Sequence, residues 1–590
     1  MPDFKAGVFW IGLATLRDPA IVLETVAHAL GATDALAEDI GKRELLLLLD
    51  NFEQVVEAAP QLASLVETCP NLKLLVTSRE LLRVRGEVEY PVPPLAAPDA
   101  VELFCGRARL EADETIGELC RRLDNLPLAV ELAAARARVL SPDQILKRLS
   151  SRLDLLRGGR DTDPRQQTLR ATIQWSVDLL STEEMALFAH LAVFAGGCTL
   201  EAAEDVTHAD LDILHSLVDK SLVRHTDDRF WMLETIREFA ADLLEGLPDS
   251  EELRDRHALF FTEMVEAADA AAESRDAPTW LERVGKEVDN LRAALTWARD
   301  RAKAELIARL AIGCSSLWMR RGSLSEGRGW LEEALGHDPG VSYELEVLRS
   351  LAFLCYLAGD YASSRTFSER QLEAARTIDD PRAISGALAN LANVAEAEES
   401  FDDARRLYEE VIVIAREAKG PRMIGVALLN LGDLEFRVGS YERAAELATE
   451  AISFCREAGD SSVIAAALIN AASAHFRLGR VDEAFVEAEE AIADASDQVA
   501  FGYALELFAG IVATNANGRL AAQLLGAAEA MREESGHSLE PSERTLHSEI
   551  LALVKSMLGP DLVAAEWAAG KEMTPEHALA AALEMRPSAR

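Results

Sequence analysis

The stretch Leu45-Leu46-Leu47-Leu48-Leu49-Asp50-Asn51 decides the class of the amino-terminal fold. Five apolar residues in a row, closed by a carboxylate and a carboxamide, read as a strand buried on both faces. A second run, Leu72-Lys73-Leu74-Leu75-Val76, ends in Thr77-Ser78-Arg79, and Val8-Phe9-Trp10-Ile11 reads as a third strand. Asp18-Pro19 opens a helix over Ala20 to Leu30, and residues 54–67 read as another. Such strands, separated by helices, imply a parallel sheet covered on both sides. Glu87 to Leu95 reads as a short strand leaving the sheet, closed by prolines.

The strand ends carry the candidate chemistry. In a phosphate-handling protein Asp50, with Asn51, would organise Mg²⁺ and water, and Thr77, Ser78 and Arg79 would sense a terminal phosphate. Asp50 reads equally as the polar end of a buried strand, and Arg79 as a strand-end cap. No phosphate-cradling loop accompanies them. Gly7, Gly12, Gly31 and Gly41 are the upstream glycines, and none stands in a G-x-x-x-x-G-K-[ST] frame. Gly41-Lys42 has Leu36 and Arg43 where glycine and a hydroxyl are needed, and it precedes a strand instead of following one.

Composition narrows the class. A chain of 590 residues with 49% hydrophobic content should hold several domains, and 6% aromatics fits a helix-rich protein. A net charge of −40 opposes binding to nucleic acid or anionic lipid. Seven scattered cysteines, with no C-x-x-C pair, point to a reducing cytoplasm and no structural metal. No apolar run reaches the ~18 residues of a membrane span, and no signal peptide is visible.

From Pro98 onward the chain reads as helix: about 99–109, 115–123, 128–140 and 144–149, with a break at Asn125-Leu126-Pro127. A polar linker covers 157–164. Residues 166–247 then give helices, a Ser181-Thr182-Glu183-Glu184 capping box, a Gly196-Gly197 turn, two short strands around Asp227-Asp228 and a final helix over 235–244. Helices closed by a hairpin outline a winged helix. Its six Arg/Lys against fifteen Asp/Glu (165–247, net −9) argue against a DNA-reading role.

Tyr361, Phe401, Tyr441 and Val481 recur every 40 residues, as do Asn390, Asn430 and Asn470. Ala404, Ala444 and Ala484 follow by three residues, on the same helical face. Each period is a helical hairpin that stacks on its neighbours to bury its apolar face, giving a tetratricopeptide-like solenoid. Arg321-Gly322-Ser323-Leu324 suggests an earlier, degenerate repeat.

Taken together, Leu45 to Val55, Leu74 to Glu80, Leu123 to Arg136 (LDNLPLAVELAAAR), Met232 to Ala240 (MLETIREFA) and Trp280 to Trp297 resemble motifs of the STAND-class signalling NTPases. The resemblance is to the NB-ARC branch found in LuxR- and SARP-type bacterial regulators. It implies a Walker B strand at Asp50, a sensor strand at Thr77 to Arg79, and adenine packing on Pro127. It also puts Leu233 in place of a phosphate-contacting histidine, with Glu234 in the acidic place beside it. Asn125 stands where glycine is usual. Glu234 and Arg237, three apart on one helix, read more simply as a surface ion pair. The Walker A loop of the family is absent, Met1 falls just past the helix that should follow it, and no output helix-turn-helix follows the repeats.

The expected architecture is a remnant of an α/β P-loop-type parallel sheet (1–96), a helical lid (97–160), a winged helix (165–247), linker helices (250–335), tetratricopeptide-like repeats (336–500) and a helical cap (501–590). The expected function is a cytoplasmic regulatory switch, acting in transcriptional control, with a sensor array for a protein or small-molecule signal and a capacity to homo-oligomerise. ATP or ADP with Mg²⁺, the metal held at Asp50 through the nucleotide, is the implied cofactor. Without a phosphate loop several charge-assisted hydrogen bonds of ~1.5–3 kcal/mol each are lost, so ATP turnover is not expected. A nucleotide-independent scaffold and an ATPase whose start lies further upstream are the alternatives.

Overall fold

The computed structural model describes residues 4–32, 36–78, 81–137, 139–148, 164–271, 277–459, 461–494, 498–535 and 541–586. These divide into two units, one comprising residues 1–268 and 281–323, the other 269–280 and 324–590.

The first unit begins with a three-stranded parallel sheet in the order β1 (Val8–Gly12), β2 (Leu45–Asp50), β3 (Leu72–Val76). Register pairs Gly12 with Asp50 and Leu49 with Val76, so the three carboxyl ends lie together. Alternation along each strand sorts the side chains. Ile11, Leu45, Leu47, Leu49 and Leu72 are buried with Val22 and Val26 of helix Val22–Leu30 and Leu62 and Leu65 of helix Ala59–Thr68. The opposite face is not covered as expected. Val8 is 43%, Trp10 65% and Leu75 53% exposed, so among the described residues helices pack on one face.

Two local expectations also change. The segment after Asp50 is not one helix over 54–67; two 3-10 turns, Phe52–Gln54 and Val56–Ala58, precede the helix at Ala59. Asn51 adopts the left-handed conformation (φ 61°, ψ 43°) and turns the chain before a helix can form. Residues 87–95 form no strand. Pro91, Pro93 and Pro94 have no N–H to give a sheet, and Val88, Tyr90 and Val92 are exposed.

Helices Ala97–Ala108, Glu114–Arg122 and Pro127–Arg136 form a small bundle around Phe104, Leu119 and Val130. Asn125 has a φ of 53°, which explains a position where glycine is the easier residue. The winged helix follows. The Ser181–Glu184 capping box starts helix Thr182–His190. Strands β4 (Arg224–Thr226) and β5 (Arg229–Trp231) pair antiparallel across Asp227-Asp228, both at positive φ, as a tight right-twisted hairpin turn demands. Helix Glu234–Glu245 closes the module.

The second unit is an all-helical solenoid. Tyr361, Phe401, Tyr441 and Val481 each begin the second helix of a hairpin, and Pro381, Pro421 and Ser461 each begin the first. Ala404, Ala444 and Ala484 are buried in the core of the solenoid. The first helices of successive hairpins also pack on one another. Outward-facing pairs Arg376–Glu410, Arg416–Glu450 and Arg456–Glu490 repeat with the same period. Exposed as they are, they contribute little stability.

Candidate functional site

The site is built on the carboxyl ends of the strands, where open α/β sheets bind ligands. The Thr77 hydroxyl donates to the Asp50 carboxylate, and the Asn51 amide donates to Thr77 Oγ1 at 3.1 Å. Phe52 N bonds Thr77 O at 3.0 Å and Leu13 N bonds Asp50 O at 2.9 Å. These bonds tie the three strand ends together and hold Asn51 in its left-handed turn. Ser78 is half-buried beside them, and Arg79 lies outside the described residues.

A cleft of ≈ 540 Å³ separates this strand end from the winged helix. Trp10, Gly12, Thr15, Asp50 and Asn51 line one wall; Gly196 to Cys198, Phe230 to Glu234 and Arg237 line the other; Asp289 closes it. Asp50, Asn51 and Glu234 are therefore brought to one cavity. Thr77 reaches it only through Asp50, and Pro127, exposed at the first turn of its helix, does not line it.

Glu234 and Arg237 form a bidentate pair at 2.7 and 3.0 Å. It is not a surface pair: each side chain is only 20% exposed. The hydrogen bonds that Arg237 donates to the Glu234 carboxylate raise the Arg237 pKa against the cost of burial. Burial pushes the Cys198 thiol up to about 12, so this lining residue stays protonated and is no thiolate nucleophile.

The segment 287–290 anchors the far wall. Asn290, fully buried, accepts from Ala195 N at 2.9 Å and donates to Gly197 O at 2.9 Å and to Glu287 Oε2 at 2.7 Å. Glu287 also receives the Arg229 guanidinium from β5. His257 approaches Asn290 Oδ1 at 3.4 Å; burial holds its pKa down at about 4, against the effect of that bond. Asp289 accepts from the Thr15 hydroxyl, in the loop after β1. Gly197, at φ 76°, lets the chain pass β5: a Cβ there would sit 2.6 Å from Phe230 O. The glycine pair was legible in the sequence as a turn. Thr15, Glu287, Asp289 and Asn290 were not, because their partners lie far away in the chain.

The described lining carries the carboxylates of Asp50, Glu234 and Asp289, and its guanidinium, Arg237, is already committed to Glu234. A bare polyphosphate does not fit that donor set. Nor, among the described side chains, does the winged helix present free lysines or arginines. Arg170, Lys220, Arg224, Arg229 and Arg237 each pair with a carboxylate: Asp242, Glu184, Glu131, Glu287 and Glu234. Among the described residues no helix is long and apolar enough to cross a membrane.

Residues 180–245 match the winged helix-turn-helix domain family and residues 383–457 the tetratricopeptide repeat family; residues 463–511 match the anaphase-promoting complex subunit 5 family. The chain is 40% identical over 282 residues to Rv0894 of Mycobacterium tuberculosis, covering 71% of that protein and 42% of this one. The chain belongs to the Rv0894 family. Outside Rv0894 itself, it is 37% identical over 430 residues to Rv0890c of M. tuberculosis, provisionally named an HTH-type transcriptional regulator. That match covers 65% of this chain and 48% of Rv0890c, so the chain spans about half the length of this longer relative. Among solved structures, a signal transduction ATPase with numerous domains and a tetratricopeptide repeat sensor, from Pyrococcus horikoshii, is 17% identical. That comparison covers 95% of this chain and 89% of the other, with a TM-score of 0.44.

Proposed function

We propose that this chain is a regulator of transcription of the STAND type, in which the solenoid takes up a signal and the winged helix acts as an internal switch on the sheet. The observation that carries the reading is the cleft between Asp50-Asn51 at the strand ends and Glu234-Arg237 in the winged helix. A cavity bounded by two modules opens or closes with their relative position, and any signal acts by binding one of those positions better than the other. The name of Rv0890c supports a role in transcription, and the repeat match at 383–457 supports a partner-binding arm.

A nucleotide is the finer part of the proposal. Asp50, Thr77, Ser78, Arg79, Pro127 and Glu234 are the residues the resemblance assigns to it. The acidic lining favours a second reading, in which this chain works as a nucleotide-independent scaffold. Calorimetric titration of the full chain with MgADP and MgATP separates the two: heat that Asp50→Asn removes supports the switch nucleotide, and none at millimolar concentration supports the scaffold.

Deletion of the gene tests the regulatory reading. A defined set of transcripts should change, be restored by the wild-type chain and not by Asn290→Ala at equal protein level. An unchanged transcript profile on deletion would overturn it.

A further inference from the structure

The helical cap of the second unit holds a wedge between two helices, Pro541–Met557 and Pro560–Lys571, joined by the turn Leu558-Gly559. Leu551, Lys555 and Leu558 stand at i, i+4 and i+7 along one wall. Pro560, Val563, Ala564 and Trp567 stand at i, i+3, i+4 and i+7 along the other. Each set is one stripe of a helix, and the two stripes line a cavity of ≈ 560 Å³. Apolar stripes on neighbouring helices normally close on one another. These do not: Pro560 and Ala564 are exposed, and Leu551, Leu558 and Trp567 are only half-buried.

Glycines hold the wedge open. Both walls rest on a third helix, Gly518–Ser535. A Cβ on Gly526 would lie 2.2 Å from Trp567 O, and one on Gly570 2.0 Å from Gln523 O, so the backbones of this helix and Pro560–Lys571 meet directly. A Cβ on Gly518 would lie 3.1 Å from Met557 Cβ, which seats the end of the other wall on the same helix. The Trp567 indole N–H donates to Glu529, which also pairs with Lys571 at 2.9 Å, and the His547 ring packs against Trp567 at 86°. Closing the wedge would pull these contacts apart, so its shape is preformed.

Small-molecule sites have about this volume and are mostly apolar, with a few placed polar groups. The charged group here is a cation. Lys555 is exposed, and among the described residues no carboxylate pairs with it, although the chain carries 100 Asp and Glu against 60 Lys and Arg. The last turn of a helix suits a lysine on any side; that role does not require it to line an apolar wedge.

We infer that the wedge binds a small lipophilic monocarboxylate, with its apolar body between Leu551, Val563 and Trp567 and its carboxylate on the Lys555 ammonium. The inference goes beyond the switch proposed above and does not depend on it.

Calorimetry of the full-length chain with decanoate and with phenylbutyrate tests it, and the two acids separate an aliphatic from an aromatic source. At least one should bind with one-to-one stoichiometry. The matching alcohol should bind about tenfold more weakly, and Lys555→Gln should reduce the acid to the alcohol's affinity without changing the alcohol's own. Ala564→Phe should fill the wedge and abolish binding of both. Lys555 and Ala564 are exposed, so both variants should keep wild-type helicity and Tm. No heat from either acid at millimolar concentration, or acid binding that Lys555→Gln leaves at wild-type strength, would overturn the inference. Self-association that Ala564→Phe abolishes, with no heat from either acid, would overturn it in favour of a second copy of this chain.

Discussion

The Thr15 hydroxyl donates a hydrogen bond to the Asp289 carboxylate, joining the loop after the first strand to a helix 274 residues later. Beside it Asn290 holds the backbone of Ala195 and Gly197. Two consecutive side chains thus touch the sheet's strand end and the winged helix at once. Replacing Thr15 by Val should cost about 1 kcal/mol in urea unfolding, and the loss should vanish in an Asp289→Ala background. Equal losses in both backgrounds would show that the contact is not formed.

The buried His257 makes the first unit acid-sensitive. Its folded pKa, about 4, lies below its ordinary value of 6.5. As pH falls from 6.5 toward 4 the unfolded chain takes up a proton that the folded chain refuses. The stabilisation is therefore complete above pH 6.5 and is lost across that window, by about 3 kcal/mol at most. Unfolding of wild type and His257→Phe between pH 7 and 4.5 should show the mutant losing less. Parallel curves would contradict this.

The solenoid holds a correctable strain. Its hairpin turns use Gly359, Gly439 and Gly479 at positive φ, but the matching turn places Glu399 at φ 60°. A left-handed non-glycine residue costs about 1 kcal/mol or more. Glu399→Gly should raise stability by about 1 kcal/mol, seen as a higher thermal midpoint for the second unit. A lower midpoint would mean that Glu399 earns its place through a contact.

The winged helix should not hold DNA. The five described cations between Arg170 and Arg237 are all paired with carboxylates. Binding would have to break these pairs to neutralise phosphates. Full-length chain titrated into a fluorescent duplex of random sequence at about 50 mM salt should leave its anisotropy unchanged. A salt-dependent rise would refute the internal role.

The solenoid was the most legible part of the sequence, because each hairpin repeats its own local signals. Pro381, Pro421 and the 40-residue aromatic period mark helix starts that the fold reproduces. The strands were legible from their apolar runs, and the hairpin from Asp227-Asp228. The open face of the sheet was not: Leu46 and Leu48 are as apolar as Leu45 and Leu47, and composition does not say which face finds a partner. The clamp at 287–290 was hidden for a related reason. Glu287, Asp289 and Asn290 look like ordinary helix-surface residues until the fold brings Arg229, Thr15 and Gly197 to them.

The central claim is that strand ends and winged helix behave as one switch held at Asp289-Asn290. Hydrogen exchange of full-length wild type and Asn290→Ala tests it most directly. The amides of Leu13 and Phe52 at the strand ends, and of Cys198, Ile236 and Arg237 in the winged helix, should all exchange faster in the variant and by a similar factor. Acceleration confined to residues 195–198, with Leu13 and Phe52 unchanged, would contradict the account.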